Sequence, residues 1–180
     1  MKVPERPLNA AAFEELAMPL FDQLYNFARW LAHDASEAED LVQETYVKAL
    51  RGFSSFEAGT NFRAWMFRIL RNAFLTSRTG LKEKTTLEDE DADAIASTEP
   101  TPEALILAEA DRDTVRMALA ALPVSQREIL LLCEVEEMSY QEIALTLGIP
   151  AGTVMSRLHR ARKALRRQLT TVSDGGPRGL

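Results

Sequence analysis

The chain is poor in the residues that many function classes depend on. A single cysteine, Cys133, stands among 180 residues, so no internal disulfide can form and a reducing compartment is the natural expectation. Two histidines and that one thiol make no cluster at zinc spacing, and no glycine-rich loop of the phosphate-cradling kind is present. Glycine and proline number eight each, which suits helices better than a turn-rich β design. No apolar run nears the roughly 18 residues needed to cross a bilayer. The opening MKVPERPLNAAAFEEL lacks the apolar centre of a secretory signal. The expectation is a mostly helical, cytoplasmic chain, without membrane insertion, catalytic constellation, metal site or cofactor.

What is abundant is charge, and its placement says more than its sum. The net charge of −6 argues at first against a nucleic-acid partner. Residues 1–80 carry nine Lys/Arg against ten Asp/Glu, residues 81–111 two against ten, and residues 112–180 ten against seven. The acidity is a central block, and the last third is basic. Between positions 151 and 167 no acid occurs, whereas Arg157, Arg160, Arg162, Lys163, Arg166 and Arg167 do. A basic stripe on one helix is the footprint of phosphate contact. Glu88–Asp93 lack calcium-loop spacing and read as solvated charge.

Periodicity divides the chain in two. FEELAMPLFDQLYNFARWLAH repeats Leu16, Leu20, Leu24, Phe27 and Leu31 at helical spacing. A second helix is expected from Ser36, with Glu39 closing a capping box and Ala38, Leu41, Val42, Thr45, Ala49 and Leu50 inward. GFSSFEAGTN breaks the pattern as a loop. A third helix, NFRAWMFRILRNAFLTSR, places Phe62, Trp65, Ile69 and Ala73 or Phe74 on one side. Residues 80–102 are acidic, weakly apolar and carry two prolines, the composition of a flexible linker. Thr101-Pro102 then opens a helix that Pro123 ends. Capping boxes at Ser125/Glu128 and Ser139/Glu142 start two more, and a basic helix runs from about Ala151 to Leu169. Cys133, Met117 and Met138 read as core; His33 reads as a surface or helix-end residue.

The stretch YQEIALTLGIPAGTVMSRLHRARKALR has the logic of a helix-turn-helix. Ala144 is the small residue where two helices meet at a sharp angle. Gly148 tolerates the positive φ that the turn needs. Ile143, Leu147, Ile149, Val154 and Leu158 fill the seam. Met155, Ser156, Arg157, His159 and Arg160 are left for a major groove, where a two-pronged arginine–guanine contact is worth about 1–3 kcal/mol of discrimination. Gly152 and Thr153, at the helix start, suit phosphate.

EVEEMSYQEIALTLGIPAGTVMSRLHRARKAL resembles the C-terminal domain of the extracytoplasmic-function (group IV) sigma factors of bacterial RNA polymerase. DLVQETYVKAL followed by FSSFEAGTNFRAWMFRILRNAF resembles that family's other conserved domain, in the family's order. The resemblance implies an all-α fold of two small helical domains joined by a flexible acidic linker, the C-terminal one a helix-turn-helix. Residues 1–79 would bind core polymerase and melt the minus-ten element, 80–102 form the linker, 103–170 read the minus-thirty-five element, and 171–180 form a disordered tail. It further implies that Asp40, Gln43, Glu44 and Lys48 dock on core polymerase. Phe53, Phe56, Asn61, Arg63, Arg68 and Asn72 would serve the minus-ten element. Gly152, Thr153, Met155, Ser156, Arg157, His159 and Arg160 would serve the minus-thirty-five element, although many relatives carry Lys or Arg where Met155 stands. Promoter DNA, core RNA polymerase and an anti-sigma factor, in a stress or envelope response, are the implied partners. The rival readings are a sigma-like decoy and a stand-alone helix-turn-helix regulator. The arginine-rich helix disfavours the first, and the DLVQETYVKAL segment the second.

Overall fold

The computed structural model describes residues 10–79 and 112–174, and among them every regular element is helical. They fall into two compact units. The acidic segment 80–102, the Thr101-Pro102 helix start and positions 175–180 lie outside the described residues.

In the first unit, the helix expected to be continuous is broken. α1 (Ala10–Ala17) passes through a 3-10 turn at Met18–Leu20 into α2 (Phe21–Ala32). Pro19 sits in that turn, where its missing N–H and fixed φ interrupt the α-helical ladder. The break leaves Leu16 exposed, while Leu24, Phe27 and Leu31 are buried. His33 ends α2 in the left-handed region, φ 59°, its N–H donating to the Arg29 carbonyl. This reversal sets Asp34 in extended backbone, where its carboxylate accepts the Glu37 N–H at 2.8 Å. α3 (Ala35–Gly52) is therefore capped by Asp34 and not by Ser36. The stretch DASEAE holds two overlapping cap signals, and the chain turn before Asp34 selects the earlier.

Helix α4 (Phe62–Thr79) shows a second difference. Phe62, Trp65 and Ile69 are half-buried, whereas Met66, Phe67, Leu70, Ala73 and Phe74 are core. Two apolar rows run side by side on this helix. α2 and α3 cover one of them, as in the Phe27–Phe67 ring contact at 5.3 Å. Leu50 of α3, expected inside, is exposed.

In the second unit, α5 (Arg112–Ala120) precedes α6 (Val124–Leu130), which continues as a π-helical turn over Leu131–Val135. α6 starts straight after Pro123 without a side-chain cap. Ser125 thus lies inside the first turn, and Glu128 is buried rather than capping. α7 (Tyr140–Leu147) has the full Ser139/Glu142 capping box and ends at Gly148, φ 68°. α8 (Ala151–Asp174) is the longest, and α5, α6 and α7 all pack on it. Its helical backbone continues into the segment read as tail. Val154, Leu158, Ala161, Leu165 and Leu169 form its buried stripe, at the three- and four-residue spacing of one helix face. Met138 is core, but Met117 is 60% exposed, because α5 turns it away from α8.

Candidate DNA-binding and polymerase-docking surfaces

The helix-turn-helix is built as its residues dictate. Ile143, Leu147, Val154 and Leu158 are buried in the seam, with Ile149 half-buried. Each such side chain contributes about 1.5–3 kcal/mol by leaving water. The positive φ of Gly148 lets the Ile149 N–H return to the Ala144 carbonyl at 3.1 Å. The opposite face of α8 presents Met155, His159 and Arg160 to solvent, with Ser156 and Arg157 half-buried at its edge. At the start of α8, Gly152 is exposed, with open space around it. The Thr153 N–H already donates to the Pro150 carbonyl, 3.0 Å, and the Ser156 hydroxyl to the Thr153 carbonyl, 3.0 Å. Both groups are thus already used within the start of the helix.

Two polar arrangements, one buried and one half-buried, hold this head, and neither was visible as spacing. Arg127 is 8% exposed. It donates Nε to the Leu119 carbonyl at 3.0 Å and Nη2 to the Ala120 and Leu122 carbonyls at 3.2 and 3.0 Å. It thereby supplies donors at and just beyond the end of α5, where intrahelical donors run out, although the Leu119 carbonyl also accepts the Leu122 N–H at 3.1 Å. Arg162, counted with the basic stripe, instead turns to the π-turn. Its Nε and Nη2 lie 2.9 and 2.6 Å from Glu134 Oε1, and Nη2 is 3.7 Å from Cys133 Sγ. Partial burial and the neighbouring Glu134 push the Cys133 thiol up to about 11. The thiol is half-buried at the edge of the core.

In the first unit, Asp40, Gln43, Glu44 and Lys48 all lie exposed on α3, and Lys48 Nζ pairs with Glu44 Oε1 at 2.5 Å. Val47 and Leu50, 48% and 49% exposed, share that outer side, an apolar component that polar spacing alone missed. Phe53 and Phe56, expected to meet DNA from a loop, are buried. The loop opens with a 3-10 turn, Phe53–Ser55. Its phenylalanines join a ring cluster: Phe13–Phe53 at 5.3 Å, Phe56–Phe62 at 5.2 Å and Phe56–Trp65 at 5.1 Å. The F-x-x-F spacing followed by Phe62 and Trp65, one helical turn apart, was the available signal for packing. Asn61 caps α4, its Oδ1 accepting the Ala64 N–H at 2.9 Å. Arg63 donates to Gln23 Oε1 at 2.9 Å and lies 5.5 Å from the Phe67 ring centre. Arg68 and Asn72, four residues apart on α4, are exposed together.

A helix-turn-helix with a basic outward helix, together with a separate helical bundle, defines a DNA-binding protein of two modules. The comparisons name its family. The Sigma-70 region 2 model matches residues 16–82, and the Sigma-70, region 4 model matches residues 112–165. The ECF RNA polymerase sigma factor SigE of Mycolicibacterium smegmatis is 35% identical, over 94% of this chain and 71% of its own. EcfG of Rhodopseudomonas palustris is 36% identical, over 89% and 93%. The Bartonella quintana sigma factor RpoE, solved with the anti-sigma factor NepR, superposes with TM-score 0.67 at 31% identity, over 89% of this chain and 98% of that one. CnrH, solved with the cytosolic domain of CnrY, gives 0.64 at 26%, over 94% and 92%. The chain belongs to the ECF RNA polymerase sigma factors. It is an alternative sigma factor, a specificity subunit that directs core RNA polymerase to chosen promoters.

Proposed function

We propose that the two modules divide the work of initiation, α3 docking on core polymerase and α8 reading the minus-thirty-five element. The observation that carries this reading is the two-sided build of α8: a fully buried apolar stripe behind, and Met155, His159 and Arg160 exposed in front. Arg157 and Arg160 supply base or phosphate contacts there. On α3, Asp40, Gln43, Glu44 and Lys48, with Val47 and Leu50, offer a charged and apolar face for a protein partner. Arg68 and Asn72 are the exposed polar pair on α4 for an opened minus-ten strand. Phe53 and Phe56 shape the loop at Glu57–Thr60 from beneath, and Asn61 and Arg63 fix its junction with α4. The group IV assignment, work in the cytoplasm and a role as an initiation factor without catalysis of its own complete the reading. No described helix is long and apolar enough to span a membrane. An anti-sigma factor is the proposed regulator, because the RpoE structure holds that sigma factor with the anti-sigma factor NepR.

The test is run-off transcription by bacterial core polymerase on fragmented host DNA, with and without the protein. The expected result is new start sites that share two upstream elements. Core binding without new starts would establish the decoy reading, and no core binding the stand-alone regulator.

A further inference from the structure

Arg162 stands in the most basic segment of the chain, yet its guanidinium faces the protein. Both donors, Nε and Nη2, converge on Glu134 Oε1 at 2.9 and 2.6 Å. The two side chains are 27% and 19% exposed. Glu134 belongs to the π-turn Leu131–Val135, where the extra residue per turn changes the direction in which side chains leave the helix. Among the described residues of α8, Arg160, Lys163, Arg166 and Arg167 are exposed by contrast. Along α8, Arg162 lies three residues beyond His159 and seven beyond Met155, on the same flank of the helix. The buried stripe of α8 is aliphatic, and aliphatic packing tolerates small rotations that a forked, charge-assisted pair does not.

We propose that Glu134 and Arg162 are positioning residues for promoter discrimination: the pair fixes the rotation of α8 against the π-turn and so aims Met155, His159 and Arg160 at the bases. This rests on the reading of α8 as the minus-thirty-five helix. Arg162 acts through the helix and not through DNA phosphate. Cys133 Sγ, 3.7 Å from Nη2, is a weaker third member that packs beside the pair.

The experiment uses holoenzyme and a promoter recovered by run-off transcription, beside the same promoter with its upstream element substituted. Wild type, Arg162→Gln, Glu134→Gln and the exchanged pair Glu134→Arg with Arg162→Glu are compared for the ratio of the two affinities. The slope of affinity against salt concentration is recorded for each. Each single variant is expected to lower the ratio about threefold, the size fitting a partly exposed pair. The salt slope should stay unchanged, and the exchanged pair should restore the ratio. Circular dichroism confirms that each variant is folded. Equal weakening on both promoters, with a salt slope reduced by about one, would make Arg162 a phosphate contact and overturn the proposal. So would an unchanged ratio in both single variants, or a lowered melting temperature with the ratio intact. If wild type itself fails to discriminate, the reading of α8 fails, and the proposal with it.

Discussion

Replacing Arg127 by methionine keeps the apolar length of the side chain and removes the guanidinium. In the native structure that group accepts nothing and donates to three carbonyls, two of them in buried hydrogen bonds, to Leu119 and Leu122. Methionine leaves the Leu122 oxygen without that donor, in a site too closed for water to replace it freely, whereas the Leu119 oxygen keeps the Leu122 N–H at 3.1 Å. A buried acceptor stripped of its partner costs about 1–3 kcal/mol, so the loss should be about 2 kcal/mol. That is a measurable share of the 5–15 kcal/mol typical of a whole domain. Urea unfolding of the full chain followed by circular dichroism reads the total helix. Both tryptophans, Trp30 and Trp65, belong to the first unit, so their fluorescence reads that unit alone. The expectation is that Arg127→Met moves the helix-loss transition to lower urea and leaves the tryptophan transition in place. A loss below about 1 kcal/mol would refute the reasoning. It would mean that the α5 carbonyls find other donors and that the buried guanidinium is tolerated, not required.

Further outcomes follow from the same geometry. Glu137 sits at φ 52°, a conformation that disfavours side chains with a Cβ. Glu137→Gly should therefore raise stability by about 0.5–1 kcal/mol after its extra unfolded-state entropy is counted, read as a higher melting temperature. Cys133, lifted from 9.0 to about 11, holds about a hundredth of the usual thiolate at pH 8, and its alkylation should be slower by about that factor. Since its folded value is raised, its contribution to stability is full below pH 9 and is lost as pH rises through 11; unfolding by urea at stepped pH checks this. Arg157→Ala with Arg160→Ala should weaken promoter binding by tenfold or more, about 1–3 kcal/mol for a good base contact, with core-polymerase affinity intact. Asp40→Ala with Glu44→Ala should do the reverse; pull-down with core polymerase separates the two.

The parts of this fold that could be read from the sequence are those governed by neighbours in the chain. The Ser139/Glu142 box, the left-handed Gly148 and the four-residue spacing of Val154 and Leu158 each need only a turn or two of helix to take effect. What could not be read depends on backbone conformation or on residues far apart. The choice of Asp34 over Ser36 was settled by the backbone of His33. The inward row of α4 was settled by which faces α2 and α3 occupy. Among the basic residues of α8, nothing local separates Arg162 from Arg160; only Glu134, 28 positions earlier, does. Phe53 and Phe56 looked like loop aromatics because their partners, Phe13 and Trp65, come from elements on either side.

α8 is one unbroken rod of 24 residues. Its later half is packed at Leu165 and Leu169 and its earlier half at Val154 and Leu158, with Met155 on the outer side of the latter. From Leu165 back to Val154 the helix spans about 16 Å, so a repacking at Leu165, taken as the pivot, is carried along the rod to the seam. A tilt of about 5° at the pivot would carry the tip about 1.4 Å, beyond the roughly 0.5 Å tolerance of a well-formed contact. Substitutions at Leu165, far from any base, would then be felt as altered promoter choice before they were felt as unfolding.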